Sequence, residues 1–242
     1  MQADVRRAPD GARRMTVAAV IPTLNEAQNI AAVLGAIPPH RVDEVIVIDG
    51  GSTDNTAPIA QSKGARVIRE LRRGYGRACA TGTAEARSDV LVFLDGDGAD
   101  DPAQIPELLQ PLLEGRADLV IGSRLAEPGA HRSMPWHQRQ GNRIAAWCVR
   151  RLYGVPLTDL GPFRAIRRRA LLDLDMRDMT YGWPTEMIVK AARRGLRIAE
   201  VPVHDYPRMA GQSKISGTVR GTVLATWHIL GTIVRYAAFG GR

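Results

Sequence analysis

The sequence predicts an α/β fold in which a mostly parallel sheet carries helices on both faces and a C-terminal helical extension follows. In residues 15–130, short runs that are apolar throughout alternate with segments of helical periodicity. Strands without polar positions are typical of parallel sheets that are covered on both faces. The extension is predicted from residues 215–239, which are mostly apolar and carry only Arg220, His228 and Arg235 as chargeable side chains.

The individual elements follow from apolar runs, helical periodicity and breaking residues such as Pro22, which ends the first run. The predicted strands are 17–21, 44–48, 65–68, 90–94, 119–121, a short region within 155–166, and 196–203. The predicted helices are 26–36, 56–63, 74–86, 104–113, 136–153, 184–194, and one long helix or a broken pair within 215–239.

The length of 242 residues suffices for one domain with a full core. We expect residues 1–14 to be a disordered lead-in, because they are polar and basic and lack the apolar segment of a signal peptide. The domain would then divide into halves at 15–130 and 131–214, with 215–242 as an amphipathic helical segment. No uninterrupted apolar run has the length needed to span a bilayer. Cys79 and Cys148 match no zinc spacing, and we expect reduced thiols in a cytoplasmic protein.

The charge is distributed unevenly along the chain. Residues 1–130 hold 14 basic and 18 acidic side chains, a net −4, whereas residues 131–242 hold 19 and 7, a net +12. A basic half indicates a phosphorylated substrate, an anionic membrane surface or nucleic acid. We expect no nucleic acid, because aromatic residues are only 5% of the chain and no nucleic-acid-binding motif is present.

Three polar clusters, at residues 22–26, 49–54 and 95–101, follow predicted strands directly. Ligands of open α/β sheets bind beyond the carboxyl ends of the strands, so we expect the clusters to converge on one crevice. Asp95 and Asp97, separated by Gly96, offer the carboxylate oxygens that Mg²⁺ or Mn²⁺ prefers. The pattern leaves open whether Asp100 and Asp101 bind metal or cap the helix that follows.

Several segments resemble the successive signatures of family-2 glycosyltransferases, which have the GT-A fold with a Rossmann-like nucleotide-binding sheet. They are VIPTLNE (20–26), VIVIDGGSTDNT (45–56), VFLDGD (92–97) and IGSR (121–124). Three later segments resemble the polyprenyl-phosphate (dolichyl-phosphate) mannosyl- and glucosyltransferases: DLGPFR (159–164), EVPV (200–203) and RMAGQSK (208–214). The resemblance implies a nucleotide-sugar-binding half at 15–130 and an acceptor-binding half at 131–214.

The resemblance also implies roles for particular residues. The nucleotide sugar would contact Pro22, Thr23, Asn25, Glu26, Asp49, Ser52, Asp54, Gly76, Arg77, Asp95 and Gly96, although Asp49 and Asp54 could instead cap a helix. Asp97 would be a direct metal ligand, with Asp95 beside the ribose and metal. The phosphates of donor or acceptor would contact Arg124, Arg139, Arg164, Arg208, Ser213 and Lys214, since guanidinium groups fit phosphate well. Ala99 stands where related enzymes often carry glutamine, which leaves the third metal ligand open.

The implied reaction moves a hexose from a donor of the GDP-mannose or UDP-glucose type to a polyprenyl phosphate, with inversion. A hydroxyl acceptor, such as glycerate or a sugar, would instead require a general base, for which Glu186 is the first candidate and Asp159 the second. A buried salt bridge is the alternative role for Glu186, and Trp183 lies in either a turn or a stacking surface for a sugar ring. A nucleotide-sugar-binding module without catalysis is a further alternative.

Two segments indicate contact with an anionic membrane, which would place the protein peripherally on the inner face. Residues 139–153 and 224–236 combine tryptophan and aliphatic side chains with arginine, a composition typical of helices that lie in the headgroup plane. Packing of these helices on the sheet, or a homodimer interface, is the alternative.

Overall fold

A computed structural model describes residues 14–126, 134–210 and 219–239. The expected lead-in, up to residue 13, lies outside the described residues. The strands are β1 (Val17–Thr23), β2 (Glu44–Asp49), β3 (Arg66–Arg69), β4 (Val90–Phe93), β5 (Leu119–Ser123), β6 (Arg164–Arg167) and β7 (Ile198–Pro202). They form one sheet in the order β3-β2-β1-β4-β6-β5-β7, which is the mostly parallel α/β sheet that the sequence predicts.

Strand β6 is the exception to the parallel arrangement, because it pairs antiparallel with both β4 and β5. Its first residue, Arg164, lies opposite Phe93 at the end of β4 and opposite Ile121 near the end of β5. The chain therefore enters β6 at the sheet edge where the parallel strands end. The residues just before β6 are thus brought to the same edge as the polar clusters.

Helices cover both faces of the sheet. The helices are α1 (Ile30–Ala36), α2 (Thr56–Ser62), α3 (Tyr75–Glu85), α4 (Ile105–Leu113), α5 (Trp136–Tyr153), α6 (Arg168–Asp173), α7 (Trp183–Arg193) and α8 (Val219–Phe239). Side chains of α1, α2 and α4 share one buried cluster, and those of α3, α5, α6, α7 and α8 share the other. Alternate residues of β1 enter the two clusters, as expected for a strand buried on both sides.

The observed boundaries differ from the sequence expectations in two places, and one open alternative is decided. Helix α1 begins at Ile30 rather than at residue 26, because residues 26–29 form a turn whose amides bond to the neighbouring loop. Only Arg164–Arg167 of the region 155–166 is strand, and α6, which the pattern did not predict, follows it directly. Within the described residues the C-terminal segment is one helix, α8.

Candidate active site

A cavity of about 660 Å³ lies at the carboxyl edge of the parallel strands. Segments that follow β1, β2, β3 and β4 form most of its wall, together with the start of α3 and two residues from later in the chain. The lining residues are Pro22, Thr23, Leu24, Asn25, Glu26, Gly50, Gly51, Thr53, Glu70, Arg72, Arg73, Gly74, Tyr75, Ala78, Asp95, Gly96, Asp97, Tyr181 and Arg208. The strand-end clusters therefore contribute to one crevice.

Hydrogen bonds join the loop after β1 to the loop after β2. The Asn25 amide donates to Ser52 Oγ at 2.9 Å, and the Thr53 amide donates to Asn25 Oδ1 at 2.8 Å. Asn25 has a φ of 52°, in the left-handed region that asparagine tolerates better than most residues. The side chain and the backbone of Asn25 thus fix the shape of the cavity wall.

Two more bonds continue this connection along the loops. The Glu26 amide donates to Thr56 Oγ1 at 2.8 Å, and the Ala27 amide donates to Asp54 Oδ2 at 3.1 Å. Asp54 also accepts from the Thr56 amide at 3.0 Å, in a turn just before α2, whose N-cap position is occupied by Asn55. These bonds lower the pKa of Asp54 although burial opposes them. Its carboxylate therefore links the loop after β1 to the loop after β2.

Asp49 and Ser52 have similar supporting positions. Asp49 is 1% exposed, accepts from the Ser52 amide at 3.0 Å, and lies 4.0 Å from Arg69 Nε. Asp49, Ser52 and Asp54 are not among the cavity-lining residues. In this arrangement Asp49 and Asp54 support the turn that presents Gly50, Gly51 and Thr53 to the cavity.

Asp95 and Asp97 both line the cavity, on either side of Gly96. Burial, and then the negative charges of Asp100 and Asp97, raise the pKa of Asp95 well above its usual value. Burial likewise raises the pKa of Asp100 to about 7. A Cβ on Gly96 would lie 2.6 Å from Thr23 Cγ2, so only glycine fits between β4 and the end of β1.

The other acids of this loop have partners within the protein. Asp100 Oδ2 accepts from the Asp95 amide at 3.0 Å, and Asp101 Oδ1 accepts from the Ala103 amide at 3.0 Å, capping the short 3-10 turn Pro102–Gln104. Capping is therefore the observed role of Asp101. In the described part of the chain, no three His, Cys, Asp or Glu side chains are grouped to hold a metal ion.

The donor set nevertheless fits a hard divalent cation. Mg²⁺ is usually held by one or two carboxylates, with substrate phosphates and water completing its coordination. Asp95 and Asp97 provide two carboxylates beside a cavity large enough for a phosphate-bearing ligand. Burial, and then the charges of Asp100 and Asp97, disfavour the charged form of Asp95 and raise its pKa, and a cation beside it would favour that charged form.

The segment from Asp205 to Arg208 and beyond crosses this acidic loop. The Tyr206 amide donates to the Ala99 carbonyl at 3.0 Å, and Arg208 Nη2 donates to Glu26 Oε1 at 2.5 Å. Arg208 Nε lies 3.4 Å from Asp97 Oδ2. Among the described basic side chains of the second half, Arg208 lines the cavity, where a phosphate contact is expected for it.

Arg124 and Asp159 form a buried ion pair. Arg124 Nε donates to Asp159 Oδ2 at 2.7 Å, and Asn142 Nδ2 donates to Asp159 Oδ1 at 2.9 Å. Burial alone would raise the pKa of Asp159, but Arg124 outweighs it and the pKa lies below its usual value. Asp159, the second candidate base, is 0% exposed, and its carboxylate holds Arg124, whose side chain remains 18% exposed.

Arg164, for which a phosphate contact is expected, is also buried in this structure. The side chain is 1% exposed and donates to backbone carbonyls, among them Pro162 and Pro184. Burial lowers the pKa of Arg164 to about 10. Its guanidinium connects the entry of β6 to the first turn of α7 and does not line the cavity.

Glu186 occupies a closed pocket away from the cavity. It is 0% exposed and accepts from the amides of Arg177, at 3.0 Å, and Asp178, at 2.7 Å. The Tyr236 hydroxyl also donates to it, and Lys190 Nζ lies 2.9 Å away. These contacts are those of the buried ion pair, the alternative that the sequence left open beside a general base.

Gly76 and Arg77 contact protein rather than the cavity. Their amides donate to the carbonyls of Thr180 and Met179, both at 3.1 Å. Trp183 is 1% exposed, with its ring 5.0 Å from that of Phe93, so it packs in the core. The aromatic residue of this segment that lines the cavity is Tyr181.

The remaining residues expected to contact the acceptor phosphate are Arg139, Ser213 and Lys214. Arg139 lies on α5 one turn before Asn142, on the same helix face. Ser213 and Lys214 lie outside the described residues.

The wall that follows β3 is formed by residues that were not predicted as site residues. Glu70, Arg72, Arg73 and Tyr75 line the cavity, and Glu70 Oε2 accepts from Arg72 Nη2 and from Thr81 Oγ1, both at 2.7 Å. The hydrogen bond from Arg72 lowers the pKa of Glu70 to about 2. Because β3 is parallel to β2, the strand-end rule would have placed this segment at the same edge.

Comparisons with known proteins agree with this geometry. The family model described as glycosyl transferase family 2 matches residues 18–174. An uncharacterised glycosyltransferase of Mycobacterium tuberculosis is 41% identical over 209 residues, covering 86% of this chain and 94% of the relative. The undecaprenyl-phosphate mannosyltransferase of Micrococcus luteus is 33% identical over 245 residues, covering 94% and 99%.

A solved structure extends the likeness to three dimensions. Glucosyl-3-phosphoglycerate synthase from Mycobacterium tuberculosis, in complex with Mn²⁺, uridine diphosphate and glucosyl-3-phosphoglycerate, superposes with a TM-score of 0.75 at 27% identity. The match covers 92% of this chain and 80% of that one. The GT-A fold is thereby confirmed, and the chain belongs to glycosyl transferase family 2 as an enzyme rather than a non-catalytic binding module.

Proposed function

We propose that this chain is a metal-dependent, inverting glycosyltransferase that moves a hexose from a nucleotide sugar to a polyprenyl phosphate. The donor is of the GDP-mannose or UDP-glucose type. The observation that carries the proposal is the pair Asp95 and Asp97 in a cavity that Arg208 also reaches. The full-length likeness to an undecaprenyl-phosphate mannosyltransferase supports the acceptor class.

Each wall of the cavity has a part in this reaction. The loops fixed by Asn25 would enclose the nucleoside, and Asp95 and Asp97 would hold Mg²⁺ or Mn²⁺ against the diphosphate. The cation, when bound, supplies Lewis-acid stabilisation of the leaving diphosphate. Arg208 would exchange its carboxylate partners for a phosphate, with which guanidinium makes paired hydrogen bonds. Arg124, oriented by Asp159, and Arg139 would hold the acceptor phosphate.

The burial of Glu186 and Asp159 favours a phosphate acceptor. A hydroxyl acceptor requires a base, whereas a phosphate monoester with a second pKa of about 6 is substantially dianionic at pH 7 and needs none. Two of the carboxylates that line the cavity, Glu26 and Glu70, are held by Arg208 and Arg72. In-line attack by the acceptor phosphate then inverts the anomeric centre.

The test is metal-dependent release of nucleoside diphosphate from GDP-mannose or UDP-glucose, with and without a short-chain polyprenyl phosphate. Release that needs both metal and lipid phosphate is expected. Asp97→Asn should lower the rate by roughly a thousandfold, since a metal stabilises the leaving group by several kcal/mol. Asp101→Asn is the matched control, because Asp101 only caps a turn. No release from any donor paired with this acceptor would overturn the proposal.

A soluble acceptor is the second candidate function. A glucosyl-3-phosphoglycerate synthase has been crystallised with Mn²⁺, uridine-diphosphate-glucose and phosphoglyceric acid, and its match covers 92% of this chain and 80% of that one. Adding phosphoglyceric acid to the release assay in place of the polyprenyl phosphate distinguishes the two candidate acceptors. Turnover with phosphoglyceric acid alone would replace the lipid acceptor by the soluble one.

A further inference from the structure

Helices α5 and α8 lie side by side on one face of the sheet. The Tyr153 hydroxyl donates to the Ile233 carbonyl at 2.6 Å, and Val149 and Ile233 belong to the same buried cluster. Arg193, from α7, donates to the Tyr236 carbonyl at 2.6 Å. The pair is therefore anchored along its inner side, and its outer side is free to meet a partner.

The outer side carries most of the tryptophan of the protein. Of four tryptophans in the chain, Trp183 is buried, whereas Trp136, Trp147 and Trp227 are 69%, 64% and 77% exposed. All three exposed residues lie on α5 or α8. Ile144, at 50% exposure, adds to the same surface. Exposed aromatic side chains collected on two neighbouring helices are unfavourable in water and indicate a binding surface.

The spacing on each helix makes these side chains a stripe. On α8, Trp227, Gly231 and Val234 are exposed at intervals of four and three residues, while Thr232 and Ile233 are buried. An interval of three or four places residues on one helix face. On α5 the exposed positions between residues 143 and 152 are all arginine or apolar: Arg143, Ile144, Trp147, Arg150, Arg151 and Leu152.

The charge of the two helices has one sign. Neither the α5 segment nor the α8 segment contains an aspartate or glutamate, and α5 contains four arginines. An interface with another protein would ordinarily offer both signs, whereas an anionic bilayer complements arginine at its headgroups and tryptophan just below them. No helix in the described part of the chain is long and apolar enough to cross a membrane.

We propose that the outer face of α5 and α8 docks on the surface of an anionic lipid bilayer. This inference rests on the proposed function, because it brings the enzyme to the surface where a lipid phosphate is found. Asn142, on α5, donates to Asp159, which holds Arg124. The docking helix thus also supports the arginine that is proposed to bind the acceptor phosphate.

The test is flotation of the full chain with vesicles of phosphatidylcholine containing phosphatidylglycerol, compared with phosphatidylcholine alone. Binding is expected only with the anionic vesicles, together with a blue shift of tryptophan emission as the exposed indoles leave water. Raising the salt concentration should weaken binding to the anionic vesicles. Flotation that is absent, or equal for both vesicles, would overturn the proposal.

Variants locate the binding on this face. Trp147→Ser with Trp227→Ser should abolish the emission shift and flotation, and Arg150→Gln with Arg151→Gln should weaken partitioning about fivefold for each arginine removed. Leu113→Ser and Arg116→Gln are matched controls, because Leu113 ends α4 on the other face of the sheet and Arg116 follows it. Thermal unfolding checks that each variant is folded. Binding that survives in folded tryptophan variants would overturn the assignment.

Two further measurements separate this inference from the proposed function. Transfer to a short-chain polyprenyl phosphate in solution needs no bilayer, so variants of the outer face should retain it. Failure of flotation with intact transfer would overturn the docking surface alone. Sedimentation of the protein without lipid tests a homodimer: a stable dimer broken by the tryptophan substitutions would assign the face to self-association and overturn membrane docking.

Discussion

Arg208 Nε lies 3.4 Å from Asp97 Oδ2, so a guanidinium occupies the neighbourhood of the carboxylate that is proposed to bind the metal. The same guanidinium donates to Glu26 Oε1. Arg208 thus compensates the charge of Asp97 without a cation. A metal that binds to Asp97 must compete with this contact.

Arg208→Gln should therefore have opposite effects on two affinities. Binding of Mn²⁺ alone should strengthen by roughly fivefold, because an ion pair of about 1 kcal/mol no longer competes. Binding of nucleoside diphosphate with Mn²⁺ should weaken, because a phosphate contact is lost. Calorimetric titration measures both, with Arg116→Gln as control since Arg116 pairs with Glu114. Unchanged Mn²⁺ affinity would contradict the competition.

Substitution of Glu186 should affect stability rather than chemistry. Glu186→Gln removes a buried charge that faces Lys190 and the amides of Arg177 and Asp178, and we expect a loss of about 3–5 kcal/mol in the free energy of unfolding. Tyr236→Phe removes only one of these bonds and should cost about 1 kcal/mol. Denaturant unfolding measures both. A Glu186→Gln variant with native stability but no transfer activity would instead identify Glu186 as the general base.

Asn25 offers a test of the wall between the first two loops. Asn25→Ala loses the bond to Thr53 and places an alanine at a φ of 52°, for which we expect a cost of about 2 kcal/mol in unfolding free energy. Asn25→Gly loses the same bond but adopts this φ without steric cost, so it should be destabilised less. Both should raise the KM for the donor. Equal stability of the two variants would show that the backbone conformation carries no cost.

Glu70 predicts a pH dependence. The hydrogen bond from Arg72 lowers the pKa of Glu70 from 4.5 to about 2, so the folded state holds its proton less tightly than the unfolded state does. The stabilisation is therefore fully present above about pH 4.5 and disappears as the pH falls toward 2. The difference in melting temperature between the protein and Glu70→Gln should be largest near neutral pH and shrink at pH 3. A difference independent of pH would refute this origin.

The patterns in the first half of the chain were sufficient to predict the sheet and the position of the cavity. Asp95 and Asp97 could be found because a strand that is apolar throughout must end where its first polar residues appear. The wall at Glu70 and Arg72 follows from the same rule, although it was missed. The turn roles of Asp49 and Asp54 could not be separated from ligand contacts, because aspartate after a strand suits either.

The sequence by itself determined the α/β class, the carboxyl-edge cavity and the acidic pair, since each can be read from local patterns of apolar runs, helical periodicity and polar residues at strand ends. Only the tertiary structure decided which charged residues of the second half reach the cavity. Arg208 does, whereas Arg164, Asp159 and Glu186 are enclosed. The physical reason is that the antiparallel entry of β6 and the packing of α7 and α8 bury these groups through contacts far apart in sequence. No local pattern of charge can reveal such burial.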